Sequence, residues 1–205
     1  MPNRSPLLNW NSKVYSKLAK NYDWLAPIFL GIGEKAKRRV GQEFKSGKVL
    51  DIACGTGAVL KMASDIGCEC YGSDLAEGMV AVAQEKVPGG KFRAANFYEL
   101  PYPNETFDYV VETNAVSGVA IDADKVIAEM IRVCKPGGQI LIGDYCQAPK
   151  ESPWTRFMEW IGVLIGDYPH DFQNIFTALG YQPEIEVLGW SGMYQFIKVK
   201  KNDQT

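Results

Sequence analysis

Between Lys48 and Asp144, short apolar runs alternate with segments of helical period, and this alternation restricts the fold more than any other feature of the chain. Residues 48–53, 69–73, 91–95, 107–112 and 139–144 read as strands. Helical spacing lies between them, as at Val59, Leu60, Met62, Ala63 and Ile66, and again over 76–86 and 122–134. The stretch ELPYPNET reads as a loop, and Lys135-Pro-Gly-Gly138 as a turn into the next strand. Strand–helix–strand repetition of this kind puts parallel strands in one sheet with helices on both faces. The C-terminal part departs from it. Residues 171–179 read as a helix closed by Gly180, while 184–188 and 193–200 alternate as two strands joined by a short glycine-containing link. The expectation is an α/β fold: a doubly wound, mostly parallel sheet of about seven strands with an antiparallel hairpin at its C-terminal edge.

Residues 7–45 read mostly as helix, with Val14, Tyr15, Leu18, Ala19 and Tyr22 on one stripe. Pro27 and Gly31-Ile-Gly33 interrupt it, and a second helix is expected over 34–44. One domain is expected, with 1–45 as a helical cap and 46–205 as the core.

The net charge of −2 and the lack of a long basic run give nucleic-acid binding no electrostatic support. Lys35-Ala-Lys37-Arg38-Arg39 reads as the solvated face of a helix. The five cysteines are odd in number and fit no zinc spacing, so free thiols, no metal and a cytoplasmic location are expected. The N-terminus has no apolar signal core, and no apolar run approaches the roughly 18 residues of a membrane span.

The first strand ends in VLDIACGTG, Val49 to Gly57. In a doubly wound sheet such a loop lies at the carboxyl end, where ligands bind. No G-x-x-x-x-G-K-[ST] is present, so it is not a P-loop. The run from Gly55, G-T-G-A-V-L, lacks the third small residue of a dinucleotide fingerprint. Asp51 would repel a pyrophosphate and suits a ligand with a positive group. Asp74, at the end of the second strand, can accept both hydroxyls of a ribose. A ribose and a cation without a pyrophosphate describe S-adenosylmethionine.

The order VLDIACGTG, YGSDLAEGM, FRAANFYELPYPNETFDYVV, VCKPGGQILIGDY resembles the class I S-adenosylmethionine-dependent methyltransferases, with their Rossmann-like fold, over roughly Tyr15 to Lys200. Two groups are most similar: the quinone-biosynthesis C-methyltransferases and the bacterial phosphatidylethanolamine N-methyltransferases. They share a Y-x-x-x-A-x-x-Y-D pattern, here Tyr15, Ala19, Tyr22 and Asp23, as well as LPYPNETFD and RVCKPGG. The resemblance implies that Asp51, Ala53, Gly55 and Gly57 cradle the methionine end. Asp74 would bind the ribose, with Leu75 and Met79 beside the adenine and Asn96 and Phe97 at its amino group. Relatives usually carry Asp where Asn96 stands and Gly where Ala53 stands. Thr113 and Asn114 would mark the meeting point of cofactor and acceptor, and Tyr22 would close over the methionine.

Methyl transfer from a sulfonium mainly requires an aligned acceptor and excluded water. A base is needed only for a nucleophile that carries a proton at neutral pH. His170, the only histidine, and Asp144, expected to point toward the acceptor, are the candidate bases, and Tyr15 could orient the substrate or simply pack. In SPWTRFMEWIGVLIGDYP, Trp154, Phe157, Met158, Ile161, Leu164 and Ile165 form one stripe, with Trp160 and Val163 beside it. This helix, with the cap from Tyr15 to Ile28, is expected to be a lid over a small, apolar or amphiphilic acceptor. A lipid-like acceptor, as in phospholipid N-methylation, remains an alternative, and membrane contact is not favoured by an acidic chain. A nicotinamide-dependent reductase and a non-catalytic protein keeping the cofactor fold are the rivals.

Overall fold

A computed structural model describes residues 13–24, 31–117, 122–165, 168–189 and 192–202. The interruption expected at Pro27 and the lid boundary at Ile28 lie outside them. In chain order the elements are α1 (13–24), α2 (Gly31–Gly41), β1 (Lys48–Asp51), α3 (Ala58–Asp65), β2 (Glu69–Asp74), α4 (Glu77–Lys86), β3 (Lys91–Ala94) and β4 (Phe107–Thr113). There follow α5 (Ala123–Val133), β5 (Cys134–Tyr145), α6 (Pro153–Ile165), α7 (Phe172–Ala178), β6 (Glu184–Gly189) and β7 (Tyr194–Lys200).

The seven strands form one sheet in the order β3-β2-β1-β4-β5-β7-β6. Pairs from β3 to β5 are parallel, and β7 runs antiparallel between β5 and β6. The doubly wound sheet with its antiparallel edge is therefore present as expected. The order reverses between β1 and β4, so the crevice at the carboxyl ends opens there.

Successive strand residues point to opposite faces, and two cores follow from this. Leu50, Val110, Ile140 and Ile142 meet α5 and α7 through Val126, Ile127, Met130, Phe172 and Phe176. Val49, Val111 and Leu141 meet α2, α3 and α4 through Ala36, Val40, Leu60, Ala63 and Ala83. Near-continuous apolar strands are what burial on both faces requires.

Lys135-Pro-Gly-Gly138 is not the expected turn. β5 starts at Cys134, opposite Phe107, and the ladder shifts register before Tyr109. The Gly137 amide donates to the Lys201 carbonyl (2.8 Å), and the Lys201 amide donates to the Gly138 carbonyl (2.9 Å). The chain's end thus supplies the partners that a turn would have supplied internally.

The N-terminal stripe is also narrower than expected. Of its five positions only Ala19 is fully buried, against Ala76 and Met79 of the α4 region, while Tyr15 and Leu18 stay 45% and 41% exposed. Backbone contact explains this. A Cβ on Gly78 would lie 2.4 Å from the Ser16 carbonyl oxygen, so α1 sits too close to α4 for large side chains between them.

Candidate functional site

The loop after β1 is held by the carboxylate that ends β2. Asp74 Oδ2 accepts the Gly55 amide (2.9 Å) and Oδ1 accepts the Ala76 amide (2.8 Å). The Cys54 amide donates to the Ser73 carbonyl (2.9 Å), which joins the same two segments. The amides of Gly55 and Ala76, with a weaker contribution from Leu75, take part of the acceptor capacity of Asp74, and the rest can serve ribose hydroxyls. Gly55 has φ +49°, and nothing lies within 4 Å of the position a Cβ would take. The loop therefore offers open space and a left-handed backbone at this residue.

Gly57 is different. Its φ is +79°, and a Cβ there would stand 3.1 Å from the Ala83 Cβ and 3.2 Å from the Ala83 Cα. A side chain at 57 would run into α4. Its smallness serves the packing of α3 against α4, a constraint separate from any backbone contact to a ligand.

Asp51 is 1% exposed at the end of β1 and accepts the Ala53 amide (3.3 Å). Burial, aided by the nearby charge of Asp74 and opposed by the Ala53 amide, pushes its carboxyl up to about 7. Asp74 is also raised, by burial against three backbone amides. Asp51 is buried and Asp74 half-buried at adjacent strand ends, and two carboxylates so close together suit a cation.

Tyr22 lies near Asp74. Burial first, then the charges of Tyr15, Asp74 and Asp23, push its hydroxyl up to about 12. Its ring meets Tyr15 edge-on at 6.0 Å. Leu75 is half-buried, and Met79 is buried beneath α1 with Ala19 and Ala76. Asn96 Oδ1 accepts the Tyr98 amide (3.0 Å), so one of its acceptor directions serves its own loop, and the Phe97 ring meets Tyr98 edge-on at 5.0 Å. Thr113 is buried at the end of β4. Asn114 follows with φ +58°, its side chain against Gly33 at the start of α2.

Residues 50–142 match the family model described as a methyltransferase domain. The ubiquinone/menaquinone biosynthesis C-methyltransferase UbiE of Geobacter sulfurreducens is 32% identical over 184 residues, covering 83% of this chain and 71% of that protein. The chain belongs to the S-adenosylmethionine-dependent methyltransferase family. Phosphoethanolamine N-methyltransferase 3 of Arabidopsis thaliana is 32% identical over 161 residues, 76% of this chain, and the match spans only 32% of that longer protein. The DhpI complex with S-adenosylhomocysteine shares the fold, with a TM-score of 0.72 at 17% identity over 97% of this chain and 98% of that one.

In this methyltransferase Asp144 is not the outward-facing base expected from the sequence. It is 1% exposed. Its Oδ2 accepts the amides of Val116 (3.1 Å) and Ser117 (2.9 Å), and its Oδ1 accepts the Ser117 hydroxyl (2.5 Å) and the Tyr145 amide (2.7 Å). Glu112 Oε1 accepts the amides of Ala115 (2.7 Å) and Val116 (3.1 Å) from the neighbouring strand end. Burial, with Asp144 beside it, drives the Glu112 carboxyl upward, and burial raises Asp144 too, against the Ser117 and Tyr145 donors. The two buried carboxyls together hold the amides of residues 115–117.

His170 stands at the end of β5. Its carbonyl accepts the Gln147 amide (3.0 Å), its ring lies 5.8 Å from Phe172, and its Nε2 is buried. Asp108 sits at the opposite, amino end of the sheet, accepting the Lys48 amide and pairing with Lys135 (both 2.7 Å), a structural place as its position at the start of β4 suggests.

The helix α6 also departs from expectation. Its Gly162 packs on Tyr145, where a Cβ would meet the Tyr145 hydroxyl oxygen at 3.0 Å. Trp154, Phe157 and Trp160 face outward, 56%, 48% and 61% exposed, with adjacent ring centroids 6.0 and 6.1 Å apart. Trp160 does not line an enclosed pocket, and the buried stripe read from spacing is in part an exposed ridge. Spacing gives the face of a helix but not its inside, and the smallest residue took the contact. No helix among the described residues is long and apolar enough to cross a membrane, and none of their His, Cys, Asp and Glu side chains cluster to hold a metal.

Thr56, Lys86 and Glu112 carry weight in the structure that the sequence reading did not give them. Glu112 had a signal: an acidic residue inside the apolar run FDYVVET.

Proposed function

We propose that the chain methylates a small acceptor with an apolar or amphiphilic body and no phosphate, a quinol-type ring being the best candidate. S-adenosylmethionine, when bound, supplies an electrophilic methyl group on a good leaving sulfur. Asp51 and the backbone of Ala53 and Gly55 would hold the methionine end, and Asp74 the ribose. Leu75 and Met79 would flank the adenine, with Asn96 and Phe97 at its edge and Tyr22 above. Thr113 and Asn114 would border the acceptor. The acceptor's nucleophilic atom would take the methyl group in line, with S-adenosylhomocysteine as the leaving product and, from a protonated nucleophile, a proton. With Asp144 sealed, His170 is the group left to take that proton from a carbon or oxygen acceptor. The cofactor assignment of these residues rests on Asp51, a buried carboxylate whose neighbouring cation, Lys37, bonds Glu34 instead.

The acceptor reading rests on the segments after β4 and β5. Among their described residues, 114–117 and 146–165, the basic side chains are Lys150 and Arg156, both exposed. A phosphate would find no inward-facing partner there and would lose solvation. Incubation with S-adenosylmethionine and demethylmenaquinol, simpler hydroquinones, phosphoethanolamine or phosphatidylethanolamine, scored by S-adenosylhomocysteine release, tests this. Release with hydroquinones and none with either phosphate compound is expected. Turnover of phosphoethanolamine alone would overturn the acceptor reading and leave the cofactor site intact.

A pH dependence follows from Asp51. A cationic ligand favours its ionised form, so binding near pH 6 expels a proton. Affinity for S-adenosylmethionine should rise with pH up to about 7, by at most tenfold per unit, and then level off. The free protein responds in the opposite sense. The folded state holds this proton more tightly than the unfolded chain, so this group's contribution to stability falls between its ordinary 3.8 and about 7. Calorimetry from pH 5 to 7 checks the first statement, and Asp51→Asn should flatten the profile. An unchanged slope in Asp51→Asn would show that another group titrates.

A further inference from the structure

Asp23 closes the α1 helix and reaches across to the glycine loop. The Thr56 hydroxyl donates to Asp23 Oδ1 (2.5 Å), the Lys86 ammonium pairs with Asp23 Oδ2, and the same ammonium donates to the Thr56 oxygen (3.1 Å). Three elements meet at one point: the end of α1, the residue between Gly55 and Gly57, and the last turn of α4. Thr56 is buried, while the Asp23 and Lys86 side chains are 51% and 25% exposed. Lower on α1, the Gly78 amide donates to the Ser16 hydroxyl (3.3 Å), and Ala19 packs on Ala76 and Met79. The helix is thus fastened along its length to α4 and to the glycine loop, with Tyr22, next to Asp23, near Asp74.

We propose that Asp23, Thr56 and Lys86 form a positioning junction that keeps α1 and the glycine loop closed around the cofactor, and that it must break before S-adenosylhomocysteine leaves. The proposal rests on the cofactor reading given above. The physical reasons are specific. Thr56 cannot move from α1 without surrendering a charge-assisted bond in a buried position. Lys86 offsets the Asp23 charge, which otherwise adds to those of Asp51 and Asp74 around the same crevice. The ion pair is partly solvated, so its worth to overall stability is small. Its effect falls on the local opening of α1, a motion of lower free energy than unfolding. None of the three residues needs to touch the reacting atoms.

The test measures association and dissociation rates of S-adenosylhomocysteine on the intact protein. Asp23→Asn and Lys86→Met should each raise the dissociation rate about tenfold, with association within twofold and the melting temperature little changed. The double variant should release no faster than the quicker single one, because both changes open one junction. Lys86→Arg should restore the wild-type rate. Lys86→Met acts at a partly exposed side chain and keeps the test available if Asp23→Asn does not fold. Folded variants with wild-type dissociation, or a loss of melting temperature with no change in release, would overturn the proposal. Gly55→Val separates the two readings. If it binds S-adenosylhomocysteine normally, the cofactor site itself is misplaced. If it fails to bind while the junction variants release at the wild-type rate, only the junction falls.

Discussion

Asp74→Ala is expected to weaken binding of S-adenosylmethionine and S-adenosylhomocysteine by a hundredfold or more. The carboxylate has two tasks at once: it holds the Gly55 and Ala76 amides and offers its remaining acceptor directions to the ribose. Hydrogen bonds to a charged group contribute roughly 1.5–3 kcal/mol each, and two are lost with the ribose. The glycine loop also loses its anchor, so the site loosens as well as losing contacts. Leaving the two amides without the carboxylate should cost at most about 1–3 kcal/mol each, which a domain of ordinary stability can sustain. Calorimetry of both ligands, with the fold checked by circular dichroism, gives the answer. Wild-type affinity in a folded Asp74→Ala variant would contradict the assignment.

Gly55→Val and Gly57→Val should fail in opposite ways. At Gly55 a Cβ meets no atom within 4 Å beyond its chain neighbours, and the cost is the left-handed backbone, about 1–2 kcal/mol. The side chain then fills the space left for the ligand, and binding should vanish from a protein that still folds. At Gly57 the same backbone cost is joined by collision with Ala83 of α4. Overpacking adds about 1–3 kcal/mol, for a total of about 2–5 kcal/mol, a large share of an ordinary domain's stability. Urea unfolding paired with calorimetry separates the two. A Gly57 variant as stable as wild type, or a Gly55 variant that binds normally, would be inconsistent with the geometry described.

Much of this was legible before any coordinates. Strand–helix alternation fixed the doubly wound sheet, because apolar runs flanked by helical stripes have one economical arrangement. The places of Asp51, Gly55 and Asp74 were legible for a related reason: they sit at strand ends, and sheet topology brings strand ends together whatever the packing elsewhere. What escaped were properties that arise only between elements. Asp144 ends its strand just as Asp51 does, yet the amides of residues 116 and 117 close over it, and nothing local to its own strand announces that. Gly57 shares a motif with Gly55 but answers to a helix far along the chain. The α6 helix has a clear apolar stripe whose side was decided by Gly162 and Tyr145. Lys135-Pro-Gly-Gly138 has turn chemistry that the C-terminal backbone overrode.

The central claim is that one cofactor lies between the glycine loop and Asp74, beneath α1. A crystal structure of the complex with S-adenosylhomocysteine tests it most directly. The account predicts both ribose hydroxyls on the Asp74 carboxylate, the amino group of the homocysteine end at the Asp51 side of the loop, and Tyr22 over the ligand. A ligand bound elsewhere on the protein, or a ribose turned away from Asp74, would contradict it.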